Sequence, residues 1–127
     1  MNLSATSFLF ALAATLGLAS CSKTTPAAGA NAPILIRFGH AAPLTGPQAH
    51  LGKDNENGAR LAVEDANAEN LTFGGRAVKF ELLSEDDQSD PRQGNLVAQK
   101  FVDAKVNAVI GHLNSGTTIP ASRLYAD

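Results

Sequence analysis

The sequence predicts an α/β fold, a three-layer sandwich in which helices cover both faces of a parallel sheet. Three observations predict it. Apolar residues change from a period of two to a helical period and back three times along residues 34–127. The connections between these segments are short and rich in Gly, Pro, Asn and Asp. Parallel strands require crossovers, and helical crossovers place their helices against the sheet.

Each element has its own cause. Ile34-Leu35-Ile36-Arg37-Phe38 is a β-branched and aromatic run that reads as a strand ending at Gly39. A Pro- and Gly-containing loop follows, reaching Gly52. From about Lys53 to Asn70, Ala59, Ala62, Val63 and Ala66 fall at helical spacing, and Gly74-Gly75 reads as the break after that helix. Val78, Phe80 and Leu82 alternate with Lys79 and Glu81, a second strand. Asp90-Pro91-Arg92-Gln93 supplies a cap, Pro at the first helical position and a Gln to reach back. The helix it opens is expected to turn Leu96, Val97, Phe101 and Ala104 inward. Val106, Ala108, Val109 and Ile110 form a third strand closed by Gly111, and residues 117–127 open a third helix. The outer edge of that last strand expects a further strand, so the isolated chain is expected to fold partly and to associate.

The first 33 residues have a different character. Residues 1–20 carry no charged side chain, and Phe8–Leu18 is an apolar run of signal-peptide length, too short to span a bilayer stably. Leu18-Ala19-Ser20-Cys21 follows and is similar to a bacterial lipobox, whose cysteine is lipidated and becomes the new N-terminus. Cys21 is the only cysteine, so lipidation leaves no thiol to form a disulfide. Residues 1–20 thus read as a lipoprotein signal peptide and 21–33, small, polar and Pro/Gly-containing, as a flexible tether. Residues 34–127 are the folded part. Ser22 matches the outer-membrane sorting preference of lipoproteins, but the sequence leaves open which membrane holds the anchor.

Ten basic against twelve acidic side chains, with no basic stripe, argue against a nucleic-acid binder. In doubly wound sheets ligands sit beyond the carboxyl ends of the strands. That edge is formed by residues 39–52, 84–90 and 111–118. Gly111-His112-Leu113-Asn114-Ser115-Gly116-Thr117-Thr118 is the most informative stretch, because it runs into a helix start where free N–H groups favour an anion. Ser115 adds a hydroxyl donor suited to a carboxylate. Ser115 or Thr117 capping its own helix is the alternative. No G-x-G-x-x-G or Gly-Lys-Ser/Thr phosphate cradle is present. Asp86-Asp87 reads as loop charge and capping rather than a Mg²⁺ site, and His40 with His112 lacks a third well-spaced metal ligand. No catalytic order of Ser, His and Asp or of Cys and His is visible, so no enzyme, cofactor or metal is expected.

Pro43-Leu44-Thr45-Gly46-Pro47, Gly52-Lys53, Asn57-Gly58-Ala59-Arg60-Leu61-Ala62, Asp86-Asp87, Asp90-Pro91 and Val109-Ile110-Gly111-His112 with Pro120-Ala121-Ser122, in this order, resemble the leucine/isoleucine/valine-binding proteins. These are periplasmic receptors of branched-chain amino acid ABC importers, built as two α/β lobes closing around an amino acid. The resemblance runs from about Ile34 to Asp127. It implies that Ser115 binds the ligand's α-carboxylate, with Asn114 and Thr117 beside it. It also places Leu51 at an apolar shelf that is often tryptophan, and Leu113 beside the side-chain pocket. The cysteines that link the second and third loops in some members fall on Ser89 and Asn114, so both halves of that bridge are absent together.

The partners implied are a free branched-chain or similar amino acid, ABC permease subunits of the inner membrane, and the membrane itself through the lipid anchor. Removing the leader leaves 107 residues, expected to form an incomplete first lobe. For such a lobe alone, a few charge-assisted hydrogen bonds of about 1.5–3 kcal/mol each and ~1–2 kcal/mol of side-chain burial face at least ~4 kcal/mol of lost freedom. The expected affinity is millimolar or weaker. A ligand-sensing receptor ectodomain of the same fold, a non-functional truncated remnant and a small α/β phospho-acceptor or hydrolytic enzyme are the competing readings. The leader and the loops speak against the last.

Overall fold

The computed structural model describes residues 32–126. The expected leader, Cys21 and most of the tether lie outside the described residues. Four strands form one sheet in the order β2-β3-β1-β4: β1 (Ile34–Ala42), β2 (Thr72–Phe73), β3 (Arg76–Asp86) and β4 (Ala108–Gly111). β3 and β4 flank β1 in parallel, with Phe38 opposite both Leu82 and Ala108. Helix α1 (Ala49–Ala68) covers one face, while α2 (Pro91–Asp103) packs on the other together with α3 (Ser115–Ser122). The three-layer α/β sandwich follows from strands whose alternate residues are apolar on both sides.

The two faces are packed differently. Toward α2, Ala41, Val97 and Phe101 form the buried core, with Leu83, Val106, Val109 and Tyr125 against it. Toward α1, Phe38 and Phe80 stack with centroids 6.1 Å apart. The stripe of Ala59, Ala62, Val63 and Ala66 is small, so a hollow of about 220 Å³ remains beneath it. Buried His40 joins that layer instead: its Nδ1 lies 3.0 Å from Ser84 Oγ and its Nε2 2.9 Å from Asn55 Oδ1.

Several expected boundaries are corrected. The sheet is not purely parallel, because β2 pairs antiparallel with β3 across Gly74-Gly75. Both glycines have positive φ, +58° and +77°, so they form a tight hairpin rather than the break after α1, which already ends at Ala68. Gly39 does not end β1. It lies within the strand, where a Cβ would meet the Phe101 ring at 2.8 Å, so the position requires glycine for that close approach. Nor does Gly52 precede the helix. It is inside α1, where a Cβ would lie 1.9 Å from the Pro43 carbonyl oxygen. α3 begins at Ser115 and ends at Ser122, earlier at both ends than expected. Leu96 does not turn inward: the buried stripe of α2 is Gly94, Val97, Ala98 and Phe101, and Leu96, off that stripe, is 65% exposed.

Candidate functional site

The carboxyl ends of β1, β3 and β4 bring three connections together, residues 43–48, 87–90 and 112–114. Asp86, the last residue of β3, holds the first of these. Its Oδ1 accepts from the Leu44 amide at 2.8 Å and the Gln88 amide at 2.9 Å, and its Oδ2 from the Thr45 hydroxyl at 2.5 Å. Burial pushes the Asp86 carboxyl up. The hydrogen bonds from Thr45, Gln88 and Leu44 outweigh that and hold it below the usual carboxylate range.

Gln48 ties the three connections to one another. It occupies the N-cap of α1 without capping it. Its Oε1 instead accepts from Ser89 Oγ at 2.8 Å and from Asn114 Nδ2 at 2.6 Å, while Asn114 Nδ2 also lies 3.4 Å from Ser89 Oγ. The two positions at which a cross-link is missing are therefore in contact, joined by hydrogen bonds in its place.

A second tie runs underneath. His112 Nδ1 is 2.9 Å from Asp87 Oδ2 and its Nε2 is 3.0 Å from the Tyr125 hydroxyl. Asp87 is wholly buried and His112 nearly so. The His112 ring thus bridges the Asp87 carboxyl and the Tyr125 hydroxyl. Burial and then the Asp87 charge push the Tyr125 hydroxyl up to about 12, so it keeps its proton. The expected loop charge at Asp87 is thus corrected to a buried pair, because His112 folds beneath the third connection onto it. His40 and His112, although at the ends of paired strands, belong to separate networks. Asp86 is occupied by loop donors. Among the described residues no cluster of three His, Cys, Asp or Glu side chains has metal-ligand spacing.

The expected ligand residues are placed as follows. Asn114, with φ −100° and ψ 136°, is the N-cap of α3, and Ser115 is the first residue of the helix. Neither expected capping role is found as such. Thr117 is wholly buried and its hydroxyl donates to the Asn114 carbonyl at 2.8 Å, so it presents no surface to a ligand. Ser115 is exposed, and its hydroxyl has no partner among the described residues. The Thr117 and Thr118 amides close onto the Asn114 carbonyl at 3.1 and 2.9 Å. The amides of Ser115 and Gly116 have no partner there, as the first turn of a helix requires. Leu113 is exposed beside them. Leu51 lies in the first turn of α1 rather than in a loop, its amide 2.9 Å from the Gln48 carbonyl, and its side chain is exposed. The Gln48–Asn114 bond therefore brings the turn of Leu51 toward that of Ser115.

The result is an open edge of free donors. Its acids are already matched, Asp86 by loop donors, Asp87 by His112, and Asp90 by the amides of Arg92 and Gln93. The unmatched groups are a hydroxyl and two amides at the positive end of α3, an arrangement that suits an anion. Gln48 and Tyr125 were not singled out in the sequence. The only tyrosine in the chain was the available signal for Tyr125, and Gln48, within a Pro- and Gly-containing stretch, gave none.

Comparison with known proteins agrees with this architecture. A profile described as "Periplasmic binding protein" matches residues 35–127. The chain belongs to the periplasmic binding protein family. It is 46% identical over 92 residues to the Leu/Ile/Val-binding protein homolog 2 of Brucella abortus (strain 2308), covering 72% of this chain and 24% of that one. The branched-chain amino acid transporter substrate-binding protein LivJ of Streptococcus pneumoniae, solved with isoleucine, superimposes with a TM-score of 0.65 at 29% identity, covering 72% of this chain and 26% of that one. A solute-binding protein of an ABC transporter from Rhodopseudomonas palustris BisB5, solved with 3,4-dihydroxybenzoic acid, gives 0.60 at 28% identity, covering 71% and 24%. The chain spans about a quarter of the length of these relatives. Its family is one of binding proteins.

Proposed function

We propose that this chain supplies the carboxylate-gripping edge of the extracytoplasmic binding component of an ABC importer for branched-chain or related amino acids. The observation that carries this reading is the set of unpartnered donors at the start of α3, the Ser115 hydroxyl and the amides of Ser115 and Gly116. Two ties hold that turn in place, Gln48–Ser89–Asn114 and Asp87–His112–Tyr125. The neighbours' ligands support the assignment. Isoleucine and 3,4-dihydroxybenzoic acid share a carboxylate and little else, so a common edge is best suited to that group. Leu113 and Leu51 are exposed, and this reading assigns them as apolar surface for the ligand's side chain.

The remaining parts of the reading follow from the sequence. Residues 1–20 export the chain, Cys21 carries the lipid, and residues 21–33 link it to the folded part on the periplasmic side. There it delivers ligand to permease subunits of the inner membrane.

The test replaces the matching segment of a leucine-binding relative by residues 34–126 and compares the chimera with its Ser115→Ala variant. Loss of one hydrogen bond to a charged group, about 1.5–3 kcal/mol, weakens leucine binding by roughly 10- to 100-fold in calorimetry. Undiminished binding in the variant refutes the role of Ser115.

A further inference from the structure

The end of the sheet opposite the loop cluster has its own chemistry. The hairpin of β2 and β3 projects there, with Phe73 74% exposed and Leu71 and Leu35 also exposed. These side chains line an open groove of about 750 Å³ together with Ile34 and Val78, and Arg76 is the only charged residue in its lining. Contiguous exposed apolar surface of this kind marks a contact site.

The chain enters the fold at this same end. The Arg76 Nε donates to the Ala32 carbonyl at 2.9 Å, immediately before β1. Cys21 precedes Ala32 by eleven residues, a length that reaches at most about 40 Å. The loop cluster lies at the far end of nine-residue β1, about 30 Å further on.

We infer that this end of the lobe rests on a lipid surface, with Phe73 and Leu71 at headgroup depth and the Arg76 guanidinium toward lipid phosphates. The inference rests on the reading that Cys21 carries a lipid, which places the bilayer within reach of this end. Aromatic and aliphatic side chains on a tight turn insert at the interface. An arginine whose stem crosses apolar surface extends its charge to the headgroups. The contact turns the donors of α3 away from the membrane. A protein partner or a second copy covering the same groove is the competing occupant.

The chain contains no tryptophan, so Phe73→Trp gives a single reporter and Leu96→Trp, on exposed α2 surface, a control. Each full-length chain is purified in its processed form and reconstituted into phosphatidylethanolamine vesicles containing phosphatidylglycerol. The indole of the Phe73→Trp chain is expected to shift to the blue, to lose about half or more of its quenching by acrylamide, and to be quenched by bilayer-borne nitroxide. The indole of the Leu96→Trp chain is expected to show none of these. Arg76→Glu in the Phe73→Trp chain is expected to weaken the contact by about fivefold or more, as removal of one cation near an anionic surface requires. A solvent-exposed indole on the β2–β3 hairpin in vesicles overturns the inference. So does equal shielding without lipid, which shows protein covering the groove. Intact mass reports the lipid on Cys21 separately. If it is absent, the anchor reading fails by itself, and the unlipidated Phe73→Trp chain with excess vesicles decides the surface: shielding of its indole upholds it and exposure overturns it.

Discussion

The junction of Gln48, Ser89 and Asn114 predicts that a covalent link is accommodated where hydrogen bonds now stand. Ser89 Oγ and Asn114 Nδ2 lie 3.4 Å apart across 25 residues of sequence. Closing a loop of that length with a disulfide in a Ser89→Cys/Asn114→Cys chain removes about 3.5 kcal/mol of unfolded-state entropy. The substitution also removes the two donors to Gln48 Oε1, which is exposed and rehydrates, at a cost of about 0.5–1 kcal/mol each. The net expectation is stabilisation by about 2 kcal/mol. In a Cys21→Ser background, urea unfolding of the oxidised chain is expected at a midpoint about 1–2 M above that of the reduced chain, given the slopes of small proteins. Thiols that stay free under mild oxidant refute the placement of the loops. A bond that forms without raising the midpoint refutes it equally.

Other perturbations test the frame. Gly52→Ala drives a methyl into the Pro43 carbonyl and is expected to cost about 3 kcal/mol or more. Gly58→Ala, with nothing within 4 Å in the same helix, is expected to gain about 0.5–1 kcal/mol. Equal urea midpoints for the two variants would remove the argument for close approach. Asp86 is held below the usual carboxylate range, so its stabilisation is present above about pH 4 and is lost as pH falls through its lowered value. Asp86→Asn is expected to be less stable at pH 7 and to show a flatter loss of stability in acid. Parallel curves for parent and variant would show that Asp86 has no such linkage.

The alternation of strands and helices was legible because each long element repeats its own period. The β2–β3 hairpin was not: Thr72-Phe73 is two residues long, too short for any period, and its glycines read equally well as a stop. Gly39 and Gly52 misled for a related reason. A glycine marks either a turn or a close approach, and only the packing of Phe101 and Pro43 tells which. Leu96 was misplaced because hydrophobicity says what a residue prefers, whereas the small and bulky residues of α2 already fill the covered stripe. At the site, Ser115 was legible from its place before a helix. The groups that hold it were not, since Gln48 meets Asn114 across 66 residues and His112 meets Asp87 across 25.

Asn67 imitates a strand. Its side-chain amide donates to the Phe80 carbonyl and accepts from the Phe80 amide, both at 2.9 Å, on the flank of β3 beyond the reach of two-residue β2. One carboxamide therefore occupies the rung on which a foreign strand would begin to zip. β4 has no such stopper among the described residues on its outer flank, where Val106, Val109 and Leu124 line a hollow of about 480 Å³. Strand addition to the described residues is thus resisted at Phe80 on the β3 flank, whereas the β4 flank carries no equivalent carboxamide.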